Sequence, residues 1–222
     1  MSGEHTRPAD IERTSMAIIS QELEDRGIVL PRENEAVVKR VIHTTADFDY
    51  VENLRFTPDA VALGVRAMRH GVIVTDTNMA YAGISKPTLA RLHGEARCFM
   101  AEPFIADAAQ KQGTTRAAAA MDWALEKYPN AILAVGNAPT ALLRIVELLE
   151  EGKRPALVIG VPVGFVNVVE SKERLLETCR RYRVPAIVSM GRKGGSNVAA
   201  AICNALLYTA ADMLDPSDRG WQ

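Results

Sequence analysis

The chain has 222 residues, of which 48% are apolar and 24% charged, and its 26 basic and 27 acidic side chains leave a formal charge of -1. That length suits one large domain or two small ones, and the apolar share is enough for a substantial core. With no basic block to neutralise phosphates and no apolar run near the roughly 20 residues that cross a bilayer, the composition points away from duplex nucleic acid and from membranes; the polar N-terminus, without a hydrophobic signal segment, makes a cytoplasmic protein the expectation.

Residues 1–9 read as a flexible tail. A helix is expected over 10–27, where Ile11, Met16, Ile19 and Leu23 share a face and Gly27 supplies a stop. A second follows over 31–47, with Val37, Val38, Val41, Ile42 and Thr45 as its apolar stripe. A third covers 57–71: Thr57 offers a cap, Pro58 suits the first helical position and Gly71 ends it. The pattern then changes. VIVTD at 72–76 reads as a buried strand with Asp76 at its end, 84–92 as a short helix or turn, and 96–100 as the next strand. TTRAAAAMDWALEKY is a strong helix capped by Thr114 or Thr115. Three short apolar strands follow at 131–135, 156–161 and 185–190, separated by amphipathic helices over 139–152 and 171–182. A very apolar helix over 196–214 comes last, and 215–222 reads as a C-terminal tail. The chain carries no linker, repeat or low-complexity segment. The expectation is therefore one α/β domain over 10–214, with a mainly parallel sheet of about five strands, helices on both faces and Rossmann-like layers.

Three glycine-rich turns, within 134–143, 159–172 and 190–202, each follow a strand and lead into a helix. In an open α/β sheet such strand-end loops build the ligand site. In the last of them, Gly191, Gly194 and Gly195 permit a tight turn, Ser196 is a candidate cap, and Arg192 and Lys193 place positive charge beside free helix N–H groups. That combination suits a phosphate or carboxylate; the bland alternative is an ordinary connection with two solvated cations. It is not a Walker A loop, because the lysine precedes the paired glycines, and no full dinucleotide fingerprint occurs. In the second turn Pro162 stiffens the backbone, Gly164 opens it and Phe165 could stack on an apolar ligand; in the first, Asn137 offers two-sided hydrogen bonding.

Of four histidines, His43 lies late in a helix beside its apolar stripe, with Lys39 and Arg40 one turn earlier. Nearby cations favour the neutral imidazole, which could exchange one proton near pH 7; a structural or solvent-exposed histidine is the competing reading. Cys98, Cys179 and Cys203 are widely spaced and read as reduced thiols. There is no Gly-x-Ser-x-Gly elbow, no His-Glu-x-x-His zinc motif and no carboxylate-rich metal loop. The chemistry expected is therefore one that needs few protein groups: glycine backbone, some cations and one proton carrier.

Six segments together resemble the precorrin-8X and cobalt-precorrin-8 methylmutase family: VIHTTADFDY at 41–50, TDTNM at 75–79, TTRAAAA at 114–120, GNAPTAL at 136–142, GVPVGFVNVVESK at 160–172 and GRKGGSNVAAA at 191–201. The resemblance spans about residues 10–210. It implies a single α/β domain that moves a methyl group from C11 to C12 of a tetrapyrrole-derived ring, with His43 as the proton donor or acceptor. It implies no redox cofactor or methyl donor, and a homodimer with substrate sites near the subunit interface; no metal site is expected from the motifs. Arg116, Arg192 and Lys193 are then partners for the ring's carboxylates, Phe165 a cover for its face, Ser15 a residue of a substrate-facing N-terminal helix, and Asn137, Gly194 and Ser196 further substrate contacts. Two other functions stay open on the residues alone: a noncatalytic binder of a tetrapyrrole or other anionic metabolite, and a nucleotide-dependent oxidoreductase or transferase.

Overall fold

The computed structural model describes residues 7–219. A largely helical first part contains α1 (Pro8–Asp25), α2 (Glu35–Thr45), α3 (Tyr50–Asn53), a short strand β1 (Leu54–Phe56) and α4 (Ala60–Ala67). Strands and helices then alternate: β2 (Val72–Thr75), α5 (Asn78–Gly83), α6 (Lys86–Arg91), β3 (Glu95–Cys98), α7 (Pro103–Gln112), α8 (Arg116–Lys127), β4 (Ile132–Val135), α9 (Pro139–Glu150), β5 (Leu157–Gly160), α10 (Val168–Tyr182), β6 (Ala186–Ser189) and α11 (Ser196–Ala210). A 3-10 turn, Pro216–Arg219, follows.

The six strands form one sheet in the order β1-β6-β5-β4-β2-β3. Five run parallel; β1 joins the edge antiparallel, pairing Leu54 with Ser189 and Phe56 with Ile187. Every residue of β4, β5 and β6 is buried. Apart from Ser189 at the end of β6, these strands are continuous runs without polar side chains because helices cover both sheet faces, so neither face has a polar set to show water. One apolar core gathers α1, α2, α4 and α11 over one face, including Val41, Ile42, Ile73, Ile187 and Leu206. The other gathers α7 to α10 over the opposite face, including Met121, Leu133, Ile145, Val158 and Leu175. The α/β layering with a mainly parallel sheet is as expected.

The local differences have physical causes. β1 was not expected, since three residues carry no usable periodicity; its pairing with β6 makes it a strand. Thr57 does not cap α4, nor is Pro58 its first residue: the helix starts at Ala60 after Asp59, whose φ is 59°. Thr57 Oγ1 instead accepts from the Ala186 amide at 2.8 Å, tying this turn to the start of β6. Thr115 does cap α8, accepting from the Ala118 amide at 3.2 Å. Ser196 is the first residue of α11 and not its cap; Gly195 precedes the helix, and the Ser196 hydroxyl pairs with that of Thr77 at 2.8 Å. At the chain ends, Pro8 and Ala9 begin α1, and Arg219 is buried against Glu12 at 2.6 Å. Residues 1–6 and 220–222 of the expected tails lie outside the described residues.

Candidate active site

The strand order reverses between β2 and β4, and in open α/β sheets ligands bind at the carboxyl ends of the strands beside that switch. Here Asp76 stands in the crevice, nearly fully buried at the end of β2. Its carboxylate accepts from the amides of Gly136 at 2.9 Å, Asn137 at 2.8 Å and Ala138 at 2.8 Å. Burial pushes the Asp76 pKa up, opposed by these three donors. The donors that lead into α9 would face a phosphate in a nucleotide-binding fold; in this protein an internal carboxylate already takes them. Gly136 is required by closeness: a Cβ there would lie 2.6 Å from the Ser196 Cα. The first and third glycine turns therefore touch.

The second and third turns touch as well. The Gly195 amide donates to the Val161 carbonyl at 2.8 Å and the Gly164 amide to the Arg192 carbonyl at 3.2 Å. Gly194 has φ 159°, and a Cβ on it would meet the Val161 carbonyl oxygen at 2.2 Å, so only glycine fits. Beneath the turn lies Lys172 of α10, fully buried and without a carboxylate partner among the described residues. Its ammonium donates to the Gly191 and Lys193 carbonyls, both at 2.8 Å, and the Ser189 hydroxyl donates to the same Lys193 carbonyl at 2.9 Å. Burial pushes the Lys172 pKa down to about 8.

On the outer side, the Lys193 ammonium lies 2.6 Å from both Asp47 and Asp49. That contact raises the lysine pKa and lowers that of Asp47. It fastens the glycine turn to the chain leaving α2, which turns at Ala46 through a left-handed φ of 53°. His43 sits on the last turn of this same helix, so the clasp holds the histidine-bearing helix end to the loop. His43 is half-buried, and its pKa is lowered first by burial and then by Arg40 and Arg219, against the opposing charge of Glu12. Glu12 of α1 is buried and receives Arg40 and Arg219, each at 2.6 Å. Burial would raise the Glu12 pKa, but the two guanidinium hydrogen bonds hold it below the usual range. Lys39, expected to act on His43 together with Arg40, is instead paired with Glu35.

The remaining expected residues fall around this end of the sheet or on α1. Arg116 is exposed at the start of α8, whose cap Thr115 bonds the Thr140 hydroxyl of α9 at 2.8 Å. The Asn137 amide is held by Asp76, while its side chain is exposed. Phe165 is 82% exposed with the Arg192 guanidinium 5.2 Å from its ring centroid, and Val166 beside it is also exposed. Ser15, on α1, is one turn beyond Glu12 and donates to the Ile11 carbonyl at 3.0 Å. Three features escaped the sequence reading: the anchoring by Asp76, the clasp through Asp47 and Asp49, and Lys172. Two left a signal: Asp76 stands at the end of a buried strand, and Lys172 falls on the buried stripe Val168, Lys172, Leu175, Leu176 and Cys179 of α10, where a lysine needs a reason. Cys179 and Cys203 are buried thiols whose pKa values burial pushes up to about 12, which leaves them unreactive. Among the described residues, no group of three or more metal-ligating side chains converges, and no helix is long and apolar enough to cross a membrane.

The glycine turns and the histidine helix that meet here are the segments on which the family resemblance rests, and wider comparison agrees. A family model described as Precorrin-8X methylmutase matches residues 10–209. A cobalt-precorrin-8 methylmutase from Salmonella typhimurium is 49% identical over 208 residues, covering 91% of this chain and 95% of that protein. A precorrin-8X methylmutase from Pseudomonas aeruginosa is 39% identical over 198 residues, covering 88% and 93%. The crystal structure of a precorrin-8X methyl mutase from Thermus thermophilus superposes with a TM-score of 0.80 at 41% identity, covering 91% of this chain and 98% of that one. With this agreement in fold, length and site segments, the chain belongs to the precorrin-8X methylmutase family.

Proposed function

We propose that the protein moves a methyl group from C11 to C12 of precorrin-8X or cobalt-precorrin-8, an intramolecular transfer in corrin-ring construction that needs no redox cofactor or methyl donor. The observation that carries this reading is the meeting of the three glycine turns with the His43 helix at one end of the sheet, in a chain matched by the family model over 10–209. The anion cradle leading into α9 is filled by Asp76, which weighs against the nucleotide-dependent alternative.

In this reading His43 is the proton carrier. Burial and Arg40 lower its pKa in the free protein, which favours the neutral imidazole. A polycarboxylate ring entering beside it brings negative charge that raises its proton affinity. Protonation of the ring system makes it electron-poor, the methyl shifts between adjacent carbons, and His43 takes the proton back, so no proton is consumed. Arg192 and Arg116 hold peripheral carboxylates, Lys193 meets one in competition with Asp47 and Asp49, and Phe165 covers a ring face. Ser15, Asn137, Gly194 and Ser196 complete the substrate contacts, and the pocket fixes the ring geometry in which the shift occurs. Phe165 and Val166 stay exposed in the single chain, which fits a homodimer whose second copy helps close the site. Purified protein given precorrin-8X, with and without cobalt, and no other reagent should form the isomerised product. Tight binding without conversion of either form would make it a binding protein.

A further inference from the structure

The geometry points to Lys172 as a positioning residue that turns the backbone of the 191–194 loop so that its amides, together with Arg192, receive one carboxylate of the substrate; this rests on the proposed function. A fully buried ammonium with no anionic partner among the described residues is costly, and hydrogen bonds must offset its desolvation. Lys172 finds two of them in one short turn, the carbonyls of Gly191 and Lys193. In a trans peptide the carbonyl of one residue and the amide of the next point in opposite directions. With the Gly191 and Lys193 carbonyls drawn inward to the ammonium, the Arg192 and Gly194 amides face away from it. Neither amide has an acceptor among the described residues. Ser189 pulls on the Lys193 carbonyl from the same side and reinforces the orientation.

The Arg192 guanidinium, carried by the same turn, stands 5.2 Å from the Phe165 ring centroid. Two backbone donors directed away from the ammonium and a guanidinium from the same turn match a carboxylate, and they fix its direction better than a solvated cation does. The contacting groups are the amides and Arg192; Lys172 acts through them. Its side chain therefore sets substrate affinity and leaves the proton transfer at His43 alone.

The test is a double-mutant cycle with Lys172→Met and Arg192→Ala, read as KM and kcat on the isomerisation. Lys172→Met should raise KM about tenfold or more with kcat within about threefold. Arg192→Ala should then add little to KM in the Lys172→Met background, because the loop no longer presents the guanidinium and the amides together. An unchanged KM in a folded Lys172→Met, a loss confined to kcat, or independent effects of the two substitutions would overturn the role. Should Lys172→Met fail to fold, amide hydrogen exchange in the wild type decides: added corrinoid product should slow the Arg192 and Gly194 amides, and unchanged exchange of both overturns the proposal. Wild-type turnover on the same substrate tests the proposed function separately. An active wild type beside a Lys172→Met of normal KM removes only the role of Lys172.

Discussion

At the mouth of the sheet, the buried charges Asp76 and Lys172 are held by main chain: three amides on the carboxylate, two carbonyls on the ammonium. Between α1 and α2, the buried Glu12 is held by side chains, the guanidinium groups of Arg40 and Arg219. The first arrangement leaves local charge uncompensated and orients loops, since a backbone group that must meet a fixed ion has one direction left. The second arrangement compensates the charge and leaves the backbone to the helices. Its reach is electrostatic, and His43 lies within it. In the proposed reading, one region shapes where the substrate is held, and the other adds to burial in adjusting the proton affinity of His43.

The largest loss of stability is expected at Asp76. Asp76→Ala leaves three amides without their acceptor, each worth about 1–3 kcal/mol when unsatisfied. With partial rescue by water, a loss of about 3 kcal/mol is expected, seen as a fall in thermal midpoint of about 6–12 °C for a chain of this size. Asp76→Asn, which keeps one carbonyl acceptor, should lose less. A melting temperature unchanged in Asp76→Ala would remove the anchor.

His43→Ala should keep the fold and much of the substrate affinity and lower single-turnover conversion about 100-fold or more. Wild-type speed from folded, saturated His43→Ala would exclude histidine from the chemistry. Arg40→Met tests the charge cluster. It removes one of two guanidinium groups from a buried carboxylate, at a cost of about 2 kcal/mol. It also takes away a cation that depresses His43 while leaving Glu12, which acts in the opposite direction. The His43 pKa should therefore rise, and the limb of the kcat profile that it controls should move to higher pH.

Stability carries a second sign from the same pair. The folded-state pKa of Glu12 is held below its ordinary value of 4.5, so this group stabilises the fold above that pH and loses its contribution as pH falls through the folded value. Arg40→Met should shrink that acid loss in denaturant titrations, and an unchanged acid limb would show that Arg219 alone holds Glu12. The smallest effect is expected at Lys193, which is exposed and already paired with Asp47 and Asp49. Lys193→Ala should change KM less than about fivefold, and less than Arg192→Ala does. A larger effect from Lys193 would mean that substrate displaces the two aspartates.

Much of the layout was legible before folding. The apolar runs at 131–135, 156–161 and 185–190 became β4, β5 and β6, because burial on both faces needs no alternation. Gly191, Gly194 and Gly195 marked a tight approach, and the Val161 oxygen beside Gly194 accounts for one of them. The caps were harder. Thr57 and Ser196 have the chemistry of caps, yet each found a partner elsewhere, Thr57 at Ala186 and Ser196 at Thr77.

The alternation of strands and helices, the strand ends that carry glycine turns, and the position of His43 late in a helix can be read from the chain alone. These follow from periodicity and from neighbours within a few residues, which the chain carries wherever it folds. The three-dimensional packing is needed to see that β1 joins β6, that Lys193 reaches Asp47 across 146 positions, that Asp76 holds the turn 60 positions away, and that Arg219 closes on Glu12. A charged side chain is chemically able to pair with many others. Its actual partner depends on which distant elements pack beside it, and that is settled by the folding of the whole sheet and both helical layers.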